Sequence, residues 1–138
     1  MKKITSSQFQ KLRVIFRKNG VVLAYLFGSQ ARGSAGKSSD VDIAILLPLH
    51  LSKRTRFERR LLLARHCANV LKHEVDLVVF NDVSSIFFRY AILQEGTVIY
   101  YRCEDERIDF ESRLLGSYFD FQPFLLAYNK QYVKTHLQ

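Results

Sequence analysis

Apolar positions along the chain change their period several times, and each change predicts an element. Phe9, Leu12 and Phe16 recur at helical spacing. Ser6 or Ser7 can cap that helix and Gly20 can stop it, so a helix is expected to about Asn19. Val21 to Phe27 is an unbroken apolar run, which predicts a strand covered on both faces. A second strand is expected from Asp40 to about Leu47, ended by Pro48. Leu51 to Leu71 reads as a long helix, with Phe57, Leu61, Ala64, Ala68 and Leu71 as its buried stripe. A third strand is expected over Val75 to Phe80, then a helix from Asn81-Asp82 through Phe87, Tyr90 and Leu93 to Gly96. Thr97 to Tyr101 is a short strand. From Glu104 the pattern is helical, with a break expected near Pro123 and a last helix to about His136. Helices alternating with strands, without an internal repeat, predict an α/β domain around a small sheet.

Composition narrows the class. With 138 residues and 48% apolar content the chain suits one soluble domain with a modest core. No run of eighteen apolar residues is present, so no membrane association is expected. The basic start, MKKITSSQFQKLR, turns polar where a signal peptide needs its apolar stretch. Cys67 and Cys103 are therefore expected as buried free thiols in a reducing cytoplasm. Charge is uneven: residues 1–72 hold fifteen Lys and Arg against three acids, a net +12, and residues 73–138 hold six against ten, a net −4. A basic half suits polyanions such as nucleoside triphosphates or nucleic acid, and it also suits a solvated surface. The basic residues of the long helix, Lys53, Arg56, Arg59 and Arg60, leave both readings open.

The candidate chemistry lies between the first two strands. Gly28-Ser29 follows the first apolar run, and Asp40 and Asp42 open the second. Side chains two apart on a strand share a face, so the two carboxylates repel unless a cation neutralises them. A glycine-serine turn offers backbone N–H groups and a hydroxyl to phosphate. Phosphate on one side and paired acids on the other suggest a magnesium-nucleotide site. Residues 31–38, ARGSAGKS, miss the phosphate loop G-x-x-x-x-G-K-S/T because Ala31 replaces its first glycine. That loop must also open a helix, whereas Lys37-Ser38 leads into a strand. A third acid, Asp76, opens the third strand, with Glu74 on the same face as an alternative. His50, His66, His73 and His136 show no metal-binding spacing.

The pattern Gly28-Ser29-x10-Asp40-x-Asp42, with Asp76 downstream, resembles the DNA polymerase β-type nucleotidyltransferase superfamily. Within it, GSQARG, SDVDIAIL and the aromatic-rich helical tail are similar to the minimal nucleotidyltransferase (MNT) branch and its MntA-type antitoxins. The motif-bearing part covers about residues 20–80. The resemblance implies a small mixed β-sheet packed with helices, the nucleotidyltransferase fold, as a core over residues 1–103. A helical C-terminal extension, 104–138, belongs to the same domain. It further implies Mg2+, as two ions held by Asp40, Asp42 and Asp76, with ATP as substrate and Gly28, Ser29 and Arg32 on the nucleotide. Lys37 is a further candidate charge partner.

What the resemblance implies functionally is a cytoplasmic protein adenylyltransferase that moves AMP from ATP to a tyrosine of a HEPN-family (HepT-like) toxin, in a hetero-oligomer. Two alternatives stand beside it. One is a catalytically silent antitoxin that blocks its partner sterically through residues 104–138. The other is a small-molecule nucleotidyltransferase. Direct nucleic-acid binding is not expected, because acids at strand mouths repel phosphate unless metal is present. Half of the eighteen aromatics fall from Tyr100 onward. Phe124, Tyr128 and Tyr132 share one helical face, which either packs back on the sheet or serves as a docking surface.

Overall fold

The computed structural model describes residues 3–28 and 40–136. Helix α1 (Ser6–Lys18) begins at Thr5, whose side chain accepts from the Gln8 backbone while Gln8 answers to the Thr5 N–H. This reciprocal box places the cap one residue ahead of the expected Ser6 or Ser7. Gly20, at φ +69°, turns the chain into strand β1 (Leu23–Phe27). Strand β2 is Val41–Leu46, helix α2 is Lys53–Leu71 and strand β3 is Val75–Val79. A 3-10 turn at Phe80–Asp82 precedes α3 (Ile86–Glu95) and β4 (Thr97–Tyr101), and α4 (Glu104–His136) ends the described chain.

The sheet order is β3-β2-β1-β4. Strand β1 is antiparallel to both β2 and β4, whereas β2 and β3 run parallel through the α2 crossover, so the sheet is mixed. Both faces are covered, as the apolar run of β1 requires. Ala24, Leu26, Ile43, Ile45, Leu77 and Val79 pack against Leu12 and Phe16 of α1 and Leu63, Cys67 and Leu71 of α2. On the other face Leu23, Tyr25 and Ala44 pack against Phe80, Ile92 of α3 and Leu114 of α4. Tyr25 sits at the centre of this second layer, edge-on to Phe80, and its hydroxyl donates to the Glu111 carboxylate of α4. Burial first, and Glu111 second, push that hydroxyl far above its ordinary pKa, so it stays a donor.

Several expectations need correction. The buried stripe of α2 is Leu63, Cys67 and Leu71, while Phe57 and Leu61 are 53% and 52% exposed. Three consecutive leucines, 61 to 63, give the helix apolar residues on more than one side, and docking against β3 selects Leu63. Asn81 does not start a helix. It clamps the end of β2, accepting from the Leu47 N–H at 2.9 Å and donating to the Leu47 carbonyl at 2.8 Å, and Ser85 caps α3 instead. Pro123 lies inside α4, which runs unbroken for 33 residues. Proline deletes one N–H and crowds the preceding turn, and the bonds on either side of it carry the helix through. Cys67 is buried as expected, and burial pushes its thiol up to about 12, but Cys103 is exposed at the β4–α4 junction.

Candidate active site

Strand pairing brings two of the three acids side by side. Asp42 in β2 and Asp76 in β3 are register partners, so their side chains leave the same face of neighbouring strands, about 4.8 Å apart at the backbone. This is the face of Tyr25 and Ala44, not the α1–α2 face. Asp40 lies two residues before Asp42, just ahead of β2, and it does not gather with Asp42 and Asp76 into a three-carboxylate cluster. Glu74 stands correspondingly ahead of β3, where its carbonyl accepts from the Val41 N–H at 3.1 Å. Asp40, Glu74 and Asp76 are exposed and Asp42 is half-buried.

Gly28 completes this corner. Its φ is +72°, and a Cβ there would stand 2.2 Å from Oδ2 of Asp42. Gly28 is thus laid against the Asp42 carboxylate, at a φ that residues with a side chain rarely adopt. Of the other residues expected at the nucleotide, Ser29, Arg32 and Lys37 lie outside the described residues.

Two aromatic residues that the sequence did not single out border the acids. Phe27 is the register partner of Asp42, and its ring meets Phe88 of α3 edge-on at 6.2 Å between centroids. Nothing in the local pattern separates Phe27 from its apolar neighbours; only the antiparallel register places it beside an acid. On the far side of β3, Arg56 of α2 binds Asp82 through Nη2 at 2.6 Å and Nε at 3.1 Å. These hydrogen bonds hold the Asp82 carboxyl below its usual range.

Among the described residues, no three His, Cys, Asp or Glu side chains gather closely enough to cage a metal ion by themselves. Magnesium does not require such a cage. It takes one or two carboxylates and fills its octahedron with water and substrate phosphate oxygens. The Asp42–Asp76 pair fits that donor set, with the backbone of Gly28 alongside.

The family profile described as polymerase beta, nucleotidyltransferase matches residues 10–105. The chain belongs to that family. Over 72 residues it is 36% identical to protein adenylyltransferase MntA of Shewanella oneidensis, a match covering 52% of this chain and 49% of that protein. The aligned part is thus about half the length of this curated relative. A crystal structure of a toxin-antitoxin with AMP-PNP superposes with a TM-score of 0.72 at 26% identity, covering 91% of this chain and 98% of that one. A crystal structure of the toxin-antitoxin MntA-HepT gives 0.67 at 24% identity, over 94% and 99% of the two chains, a likeness of fold. The four-stranded mixed sheet with four α-helices seen among the described residues is the nucleotidyltransferase fold. Among the described residues, no helix is long and apolar enough to cross a membrane.

Proposed function

We propose that this chain is a protein adenylyltransferase antitoxin that transfers AMP from Mg-ATP to a tyrosine of a cognate HEPN-family toxin and so neutralises it. The observation that carries the reading is the pairing of Asp42 with Asp76 across β2 and β3, with Gly28 pressed against Asp42. Similarity to MntA, and to a toxin-antitoxin structure with AMP-PNP, supplies the reaction class and the kind of partner.

In this reading Gly28 lets the backbone approach the triphosphate, Ser29 donates to a β- or γ-phosphate oxygen, and Arg32 offsets phosphate charge. Asp40 and Asp42 hold Mg2+, which supplies positive charge to the phosphate oxygens when bound, and Asp76 completes a two-ion set. The tyrosine oxygen attacks the α-phosphorus, the bond from that phosphorus to the bridging oxygen breaks, and pyrophosphate leaves. Ionising a tyrosine of ordinary pKa at pH 7 costs about 4 kcal/mol. Asp76, on the strand flanking Asp42, takes the phenolic proton as attack proceeds and so lowers that cost. The fixed strand spacing contributes by positioning the reacting groups.

Residues 104–138 form the extension of the 1–103 core and would dock the toxin. Exposed Phe119, Phe121 and Phe124 along α4 support a second reading, in which binding alone neutralises the partner. Incubating the chain with Mg-ATP and a cognate HEPN-family toxin, then weighing the toxin, separates the two. The expected result is a gain of AMP mass that Asp40→Ala/Asp42→Ala abolishes. A toxin of unchanged mass that is nevertheless neutralised would sink the enzymatic reading.

A further inference from the structure

Asp76 belongs to a second feature besides the acid corner. It lines a groove of about 300 Å3 that follows Asp76, Leu77, Val78 and Val79 along β3 and is walled by Lys53, Arg56, Phe57 and Arg60 of α2. Strand β3 is the last in the sheet, and among the described residues no strand pairs with its outer edge. The parallel register and the bond from the Val41 N–H to the Glu74 carbonyl show which groups face β2. Alternation then turns the N–H and C=O of Val75, Leu77 and Val79 outward. Such an edge is a template for one more strand.

The wall opposite this edge is basic and apolar together. Helix α2 carries six Lys and Arg against the single acid Glu58. Of the groove's two carboxylates, Asp82 is already engaged by Arg56, whose Nη1 also donates to the Leu51 carbonyl at 2.7 Å. Lys53 and Arg60 supply the remaining positive charge, and the Arg60 guanidinium lies 5.4 Å from the centroid of the exposed Phe57 ring. A groove with open backbone groups on one side and cations around an aromatic on the other suits an extended peptide with acidic side chains. Because Asp76 lines the groove, a strand added along β3 sets one of its side chains beside that carboxylate, on the sheet face away from α2.

We propose that the β3 edge and the α2 wall form the acceptor-docking groove. An acidic, extended segment of the protein substrate adds to β3, sets its carboxylates on Lys53 and Arg60, and presents its tyrosine hydroxyl at Asp76. The acceptor role rests on the AMP-transfer reading given above. The docking itself is testable without any transfer.

The probe is a fluorescein-labelled ten-residue peptide of alternating glutamate and valine around a central tyrosine, measured by anisotropy in EDTA without nucleotide. Submillimolar binding is expected, weakened at least tenfold by Lys53→Glu/Arg60→Glu and unchanged by Arg113→Glu, a charge reversal on α4 that lies outside the groove. A companion peptide with lysine for glutamate should not bind. Hydrogen exchange should slow at the amides of Val75, Leu77 and Val79 when the acidic peptide is bound. Equal binding of both peptides, no effect of Lys53→Glu/Arg60→Glu in a normally folded variant, or unprotected β3 amides would each overturn the proposal. So would a ten-nucleotide RNA that displaces the peptide at equal strength, since that assigns the groove to nucleic acid. Because the assay holds neither ATP nor metal, a failure of AMP transfer in the mass experiment leaves its outcome unaffected.

Discussion

The two faces of the sheet are built from the same strands and end differently. Toward α1 and α2, every inward residue from Val41 to Val79 meets an apolar partner, and the layer closes over Phe16, Leu63 and Cys67. Toward α3 and α4 the layer closes only over its first part, around Tyr25, Phe80 and Leu114. At the other end of β2 and β3 the same alternation brings out Asp42 and Asp76. One step along the strand therefore exchanges a core position for a charged one. The acid corner is the unfilled end of a core layer, backed by the completed layer on the other face.

That contrast can be broken from either side. Leu63→Ala opens a cavity in the completed layer and should lower unfolding stability by about 2–5 kcal/mol, measured by urea denaturation. A loss below about 1 kcal/mol would mean that Leu63 is not a keystone of that layer. Gly28→Ala acts on the open end. It imposes about 1–2 kcal/mol of left-handed strain and pushes its Cβ into the Asp42 carboxylate. AMP transfer should therefore fall by roughly tenfold or more, as about 1.4 kcal/mol of misplacement suffices for that factor. Unchanged transfer would show that the turn and the carboxylate are uncoupled.

The smallest expected effect lies at the β3 edge. Asp82 has a folded pKa below its unfolded value, so its contribution is present above the unfolded value and is lost as pH falls through the folded one. The melting temperature of the wild type should therefore drop more steeply than that of Asp82→Asn below about pH 4. Parallel curves would show that the Arg56 contact contributes nothing to folding.

Much of this fold was legible because its signals are local. The apolar run before Gly28, the acids at the starts of the second and third strands, and the order of elements all follow from period and punctuation. Sheet order was not legible, since nothing in the Thr97 to Tyr101 run states that it pairs with β1 instead of β3. The face of α2 was misassigned for a related reason: Leu61, Leu62 and Leu63 offer several stripes, and only docking chooses among them. Phe57 and Leu61, expected in the core, stand outside it, and Phe57 walls the groove at Asp76. Pro123 was expected to end a helix that continues past it. Of the candidate site, spacing pointed to Asp42, Asp76 and Gly28, which the fold brings together, whereas Phe27 needed the register and the cationic groove needed the crossover of α2.

The pairing of Asp42 with Asp76 has a consequence for how the corner tolerates change. Their separation is gauged by peptide geometry, the rung spacing of a hydrogen-bonded ladder, and not by the fit of any side chain. Loosened packing, warming or drift in the surrounding sequence can tilt the two carboxylates. Their roots stay on adjacent rungs until the ladder itself comes apart.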